Sequence, residues 1–376
     1  MYVPDYPRFR PQWYSLDRPD WPDWLDDERW FPPGDRELFV RGRVGLNAAL
    51  GQLPPADGDV ALLPAYAPFS LVEVFEECGY RVRYYPMEPD LTLPASRVAD
   101  RITALSPSLV LFAHFFGLVD PAFDELAGRA RDAGATIVED CARAAFARRA
   151  DGTPLGATGD IAIYSLYKTL PIPNGGLVIA PDLSIPSAAG STPDGGAALK
   201  SAAVDTFRRM SVPPVRMFGL TEPMARSVEE ARSADRSLDR LPTTRPGRVS
   251  ANGLSQVEPE RVVAQRRSHY RALRPALSAV DGIEVLSPPA HRHDCPFGVT
   301  VRAPTAAVRD RLYRELRLAG LPAEVYRWPA PAPEAAEAGA QAIRRRVLVV
   351  PTHQQLSTPA RDRIVDVVAA AAAAGE

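Results

Sequence analysis

Short apolar runs alternate with amphipathic stretches between residues 36 and 180. Residues 44–53 carry apolar side chains at helical spacing and stop at Pro54-Pro55, so they predict a helix. Residues 59–63 predict a strand, 70–78 a helix ending at Gly79, and 80–85 a strand. Residues 95–104 predict a helix, 108–113 a buried strand, 121–133 a helix closed by Gly134, and 135–138 a strand. Residues 161–165 and 177–180 predict further short apolar strands. Such alternation implies an α/β fold whose mostly parallel central sheet is flanked by helices on both faces. In sheets of that kind ligands sit at the carboxyl ends of the strands.

The pattern then changes. Residues 181–200 form a low-complexity Ser/Ala/Gly/Pro stretch that predicts a loop, and 201–240 predict helix broken near Pro213-Pro214. Beyond 246, residues 258–277 and 306–319 predict helices, 283–286, 297–301 and 346–350 predict strands, and a last helix starts near Pro359. The expected organisation is an N-terminal arm at 1–35, a large domain at 36–245 and a smaller C-terminal α/β domain at 246–376. Within the arm, Trp21, Trp24 and Trp30 require a surface to bury against.

Composition narrows the function classes. The 376 residues are 46% hydrophobic and 24% charged with net charge −2, which fits a soluble folded chain and argues against a nucleic-acid partner. No apolar stretch is long enough to span a bilayer, and the first residues lack the basic and apolar regions of a signal peptide. Cys78, Cys141 and Cys295 have no metal-type spacing and read as reduced thiols of a cytoplasmic protein. His291 and His293 lack a third ligand nearby, so no metal is expected.

Only two lysines are present, Lys168 and Lys200, among 44 basic residues. An arginine cannot form a Schiff base under ordinary conditions, whereas a lysine with a movable pKa can. Lys168 follows an apolar strand in Tyr164-Ser165-Leu166-Tyr167-Lys168-Thr169 and precedes Gly175-Gly176, while Lys200 reads as a surface residue. Asp140 ends another strand. It serves either as a helix N-cap or as the partner of a protonated pyridine nitrogen. Arg41-Gly42-Arg43 opens a helix, where free N–H groups and a glycine suit a phosphate or simply make a basic loop. His114-Phe115-Phe116-Gly117 ends a third strand and supplies either walls for a flat heteroaromatic ring or core.

In order, these segments resemble the DegT/DnrJ/EryC1/StrS aminotransferase family of fold-type I pyridoxal phosphate enzymes. The likeness runs from roughly 38 to 370. It rests on Gly42-Arg43-Val44-Gly45-Leu46, Leu63-Pro64-Ala65-Tyr66, His114-Phe115-Phe116-Gly117, Glu139-Asp140-Cys141-Ala142-Arg143-Ala144, Gly159-Asp160-Ile161-Ala162, Ser165 with Lys168, Gly175-Gly176, and Val350-Pro351-Thr352-His353. The resemblance implies that Lys168 holds pyridoxal 5'-phosphate as a Schiff base and shuttles a proton, while Asp140 pairs with the pyridine nitrogen. It also implies that Ser165 and the turn at Gly42 and Arg43 hold the phosphate, with His114 near the ring and Tyr66 or Phe69 stacking on it. Asn252 would reach a neighbouring subunit's phosphate in a homodimer whose sites lie at the interface. Three departures stand out. The family's Ser-Gly-Thr turn is absent, Lys168 comes early after Ser165, and Arg143 replaces a glutamine near the cofactor's phenolic oxygen. The implied activity is transfer of an amino group from glutamate or glutamine to a keto-sugar or specialised-metabolite ketone. The alternatives are another pyridoxal phosphate reaction (dehydration, decarboxylation, condensation or cyclisation) and a non-catalytic regulator.

Overall fold

The fold was obtained as a computed structural model, which describes residues 21–190 and 244–374. Lys200 and the predicted helices at 201–240 lie outside the described residues, as do the first 20 residues of the predicted arm.

In chain order the elements are β1 (Asp35–Phe39), α1 (Gly42–Leu50), β2 (Val60–Pro64), α2 (Phe69–Glu77), β3 (Arg81–Tyr85), α3 (Ala95–Leu105), β4 (Leu109–Ala113), α4 (Phe123–Asp132), β5 (Thr136–Asp140), β6 (Ile161–Ser165), α5 (Leu166–Thr169) and β7 (Gly176–Ala180). After residue 244 come α6 (Arg248–Ser255), α7 (Pro259–Ser278), β8 (Glu284–Val285), β9 (Gly298–Arg302), α8 (Ala306–Leu318), α9 (Ala338–Arg346), β10 (Val347–Pro351) and α10 (Thr358–Ala373). The expected elements of the described residues are present, with ends shifted by a few residues. Four further elements carry weak sequence patterns. Strand β1 opens with the polar Asp35-Arg36-Glu37, α5 is one turn long, and α6 and α9 are short.

The large sheet has seven strands in the order β1-β7-β6-β5-β4-β2-β3. Strands β3, β2, β4, β5 and β6 run parallel, β7 runs antiparallel to them, and the edge strand β1 pairs antiparallel with β7 and so points the same way as the first five. Strands β6 and β7 are buried along their whole length, the pattern expected of strands covered on both faces. A second sheet, β10-β9-β8, is antiparallel and packs with Tyr270, Leu273 and Leu277 of α7, Leu312 and Leu316 of α8, and Ile364 and Val368 of α10.

The tryptophan segment packs against the back of β6. Trp30 and Phe31 are buried, Trp24 and Trp30 meet the Phe146 ring edge-on at 5.4 and 5.7 Å, and Phe31 meets Tyr164 at 5.0 Å. Trp24 Nε1 also donates to the Leu254 carbonyl at 3.2 Å. Aromatic pairs of this kind contribute about 0.5–1.5 kcal/mol each beyond area burial. No described helix is long and apolar enough to cross a membrane.

Candidate active site

The carboxyl ends of β2, β4, β5 and β6 open onto one cavity of about 560 Å³. Nine of the ten predicted site residues line it: Lys168, Asp140, Ser165, Gly42, Arg43, Arg143, His114, Tyr66 and Phe69. Asn252 does not. It lies on α6, where its carbonyl accepts hydrogen bonds from Ser255 and Gln256.

Lys168 sits on the single turn α5 directly after β6. The helix stops because Leu170 is extended and Pro171 follows, and a residue before proline avoids helical geometry. Burial, aided by the Arg143 guanidinium and opposed by Asp140 and Glu324, pushes the Lys168 amine down to about 7. A lysine so placed is substantially unprotonated near neutral pH and can act as a nucleophile.

The turn that receives a phosphate in the sequence reading is built by close packing. A Cβ on Gly176 would lie 2.0 Å from the Gly42 nitrogen, so only glycine in β7 lets the start of α1 approach this strand. Helix α1 carries no side-chain cap and no acid in its first turn, which leaves its positive end facing the cavity. Arg43 Nη2 is buried there without a hydrogen-bond partner. A buried unpaired guanidinium nitrogen is costly, and an anion at the helix start would satisfy it. Arg41 is stacked over the Tyr167 ring at 4.3 Å.

Asp140, the last residue of β5, lines the same cavity. Its Oδ1 accepts from the Ala142 amide at 2.9 Å, and it has no cationic partner among the described residues. His114 is held by a neighbour that sequence reasoning left without a role. His114 Nε2 lies 2.6 Å from Glu139 Oε2, and both side chains are buried. Burial alone would raise the Glu139 carboxyl, but the His114 hydrogen bond and the amides of Gly159 and Gly156 outweigh it, so its pKa falls below the usual carboxylate value. His114 therefore donates from Nε2 to an ionised Glu139. Cys141 lies close to this pair, but the donors around Glu139 leave no oxygen for a metal.

The remaining wall comes from the far end of the chain. Tyr66 is fully buried, donates from its hydroxyl to the Tyr326 carbonyl at 3.1 Å, and lies 4.9 Å from Trp328. Phe69 is 37% exposed at the start of α2. Arg143 donates from Nε to the Tyr326 hydroxyl at 3.0 Å and stacks over that ring at 4.1 Å. Glu324, Tyr326 and Trp328 were not legible as site residues. Their segment has no strand or helix period, and long-range contacts bring it to the cavity: the isolated bridge from Glu324 to Val349 and the hydrogen bonds of Tyr66 and Arg143 to Tyr326.

The lysine, the open carboxylate and the unpaired basic turn fit pyridoxal phosphate, with an aldehyde partner, a ring-nitrogen partner and a phosphate partner in one cavity. Comparison with known proteins agrees. Residues 40–199 match the model of the DegT/DnrJ/EryC1/StrS aminotransferase family. Protein MosB of Rhizobium meliloti is 28% identical over 158 residues, which span 41% of this chain and 31% of MosB. Among solved structures, an aminotransferase TlmJ from Streptoalloteichus hindustanus superposes with TM-score 0.62 at 21% identity, covering 90% of this chain and 86% of that one. A 3-amino-5-hydroxybenzoic acid synthase superposes with TM-score 0.63 at 19% identity, covering 90% and 87%. At these identities the structures establish a shared fold, that of the fold-type I aminotransferases.

Proposed function

We propose that this chain, whose residues 40–199 match the model of the DegT/DnrJ/EryC1/StrS aminotransferase family, is a pyridoxal phosphate-dependent aminotransferase that moves an amino group from glutamate or glutamine to a keto substrate. The observation that carries the reading is Lys168, a lysine lowered to about 7 in the same cavity as an open Asp140 and an unpaired Arg43. When bound, pyridoxal phosphate supplies the sink for the electron pair released at the substrate carbon. Lys168 Nζ would bind the cofactor and carry the proton to and from that carbon. Asp140 would hold a proton on the pyridine nitrogen. The Gly42 and Arg43 amides, the Arg43 guanidinium and Ser165 would hold the phosphate. His114, fixed by Glu139, would line the ring's pocket, and Tyr66 anchors the wall through Tyr326.

The reading extends to a homodimer with its cavities at the interface, in which Asn252 approaches the partner's phosphate. It also includes a cytoplasmic location, an arm at 1–35, and a boundary between large and small domains near 245. An intact Lys168 and Asp140 speak against a non-catalytic regulator. The test is formation of 2-oxoglutarate from glutamate by the cofactor-loaded protein. Lys168→Ala abolishes it in a folded protein, and a variant that keeps full turnover removes Lys168 from the chemistry.

A further inference from the structure

Glu324 brings a carboxylate to the cavity from the C-terminal part of the chain. Its position is fixed from two sides. Its backbone N–H donates to the Val349 carbonyl at 2.8 Å and its carbonyl accepts from the Val349 N–H at 2.9 Å, which ties it to the buried strand β10. Two residues on, the Tyr326 carbonyl accepts from Tyr66 at 3.1 Å and the Tyr326 hydroxyl accepts from Arg143 at 3.0 Å, which ties the same segment to the large sheet. The carboxylate itself has no hydrogen bond or ion pair among the described residues. Its charge is felt by Lys168 and by Arg266, yet Arg266 spends its terminal nitrogens on Gln354 and the Phe297 carbonyl.

A carboxylate only accepts hydrogen bonds, so one held at a cavity wall without a donor is matched by a donor on the ligand. The guanidinium groups of the cavity do not cancel its charge. Arg41 is stacked over Tyr167 and donates to the Pro173 carbonyl at 3.3 Å, and Arg327 donates to Asp310 at 2.5 Å. Arg43 stands at the start of α1, where the cofactor's phosphate would lie. Arg143 is left for a substrate, and one guanidinium takes one carboxylate. Arg143 and Glu324 both act on Lys168, so the opposite charges lie within electrostatic reach of the reacting amine. A second carboxylate on the substrate would set acceptor against acceptor and like charge against like at Glu324. We infer that Glu324 is a specificity-determining residue, which receives an N–H donor group, amide or cation, carried by the substrate away from its reacting carbon and turns away a second carboxylate. The inference rests on the proposed function and chooses between its two donors: glutamine is preferred, and glutamate serves more slowly.

The test is calorimetric titration of three unreactive probes into the pyridoxal phosphate-loaded protein. Glutarate, glutaramate and 4-guanidinobutanoate share one carboxylate and end in a carboxylate, an amide and a guanidinium. The last two are each expected to bind at least about 10-fold tighter than glutarate, and their order tells whether the donor group is an amide or a cation. Glu324→Gln keeps the size without the charge and is expected to bring glutarate and glutaramate within about 3-fold of one another while the visible band persists. Bleaching of that band by glutamine is expected to outrun bleaching by glutamate by a similar factor, and Glu324→Gln to erase the difference. Where no probe binds, these rates decide. Should Glu324→Gln not fold, the wild-type order of the probes decides. Glutarate binding as tightly as glutaramate, or a preference that survives Glu324→Gln, overturns the role of Glu324 and leaves the aminotransferase standing. A protein that takes up no pyridoxal phosphate, or a loaded one bleached by neither amino acid, refutes instead the function on which the inference rests.

Discussion

Replacing Lys168 by methionine should stabilise the cofactor-free protein, and the gain should depend on pH. The Lys168 amine has a pKa of about 7 in the folded chain against an ordinary value of 10.5, chiefly because burial disfavours its charged form. Between these values the unfolded chain binds more protons than the folded one, so the lysine makes folding less favourable as pH falls. The displacement is about 3.5 units, and at 1.36 kcal/mol per unit the full penalty approaches about 5 kcal/mol below pH 7. It declines through the alkaline range and vanishes above the unfolded value. Lys168→Met keeps the length and apolar stem without the titrating group. Urea unfolding of both apo proteins from pH 6.5 to 10.5 should show a difference of several kcal/mol at the low end that closes steadily upward. Parallel stability curves would refute the desolvated lysine, and a wild type more stable at pH 7 would reverse its sign.

Glu139→Gln removes the charge that pairs with His114 and should cost about 3 kcal/mol, the scale for breaking a buried pair. Because the folded pKa of Glu139 is depressed, its contribution is present above the unfolded value of 4.5 and lost as pH falls through the folded one, so acid titrations of wild type and variant should converge. Gly176→Ala places a Cβ 2.0 Å from the Gly42 nitrogen and should lower stability by about 3 kcal/mol while weakening cofactor retention, read by denaturation and by dialysis. Asp140→Asn should keep the cofactor bound but slow single-turnover transfer by orders of magnitude. Unchanged rates would take Asp140 out of the mechanism.

The parts of the site that sequence reveals are those borne on strand ends. Asp140, Ser165 and Lys168 follow apolar runs whose period marks β5 and β6, and parallel topology then gathers those ends into one cavity. Gly42 and Arg43 were legible because a glycine at a helix start has a physical use. The partners that tune these groups were not. Glu139 sits beside Asp140 in the sequence, but its meeting with His114 comes from the register of β4 against β5, where Phe112 pairs with Glu139 and Ala113 with Asp140. Glu324 and Tyr326 arrive from another sheet through a segment without periodicity. The choice between Tyr66 and Phe69 also depends on packing, since Tyr66 is buried against Trp328 and Phe69 stands at the rim. The support of Lys168 is equally remote. Arg266 on α7 donates to Gln354 at 2.9 Å, and Gln354 donates at 3.0 Å to the carbonyl of Thr169, the last residue of the turn that carries the lysine.

The visible absorption spectrum of the purified protein, recorded before and after addition of glutamate, tests the central claim most directly. A yellow protein is expected, whose band bleaches as the amino group passes to the cofactor, with Lys168→Ala failing to respond in the same way. A protein that stays colourless after incubation with pyridoxal phosphate would contradict the cofactor site, and a yellow one indifferent to both glutamate and glutamine would contradict the aminotransferase.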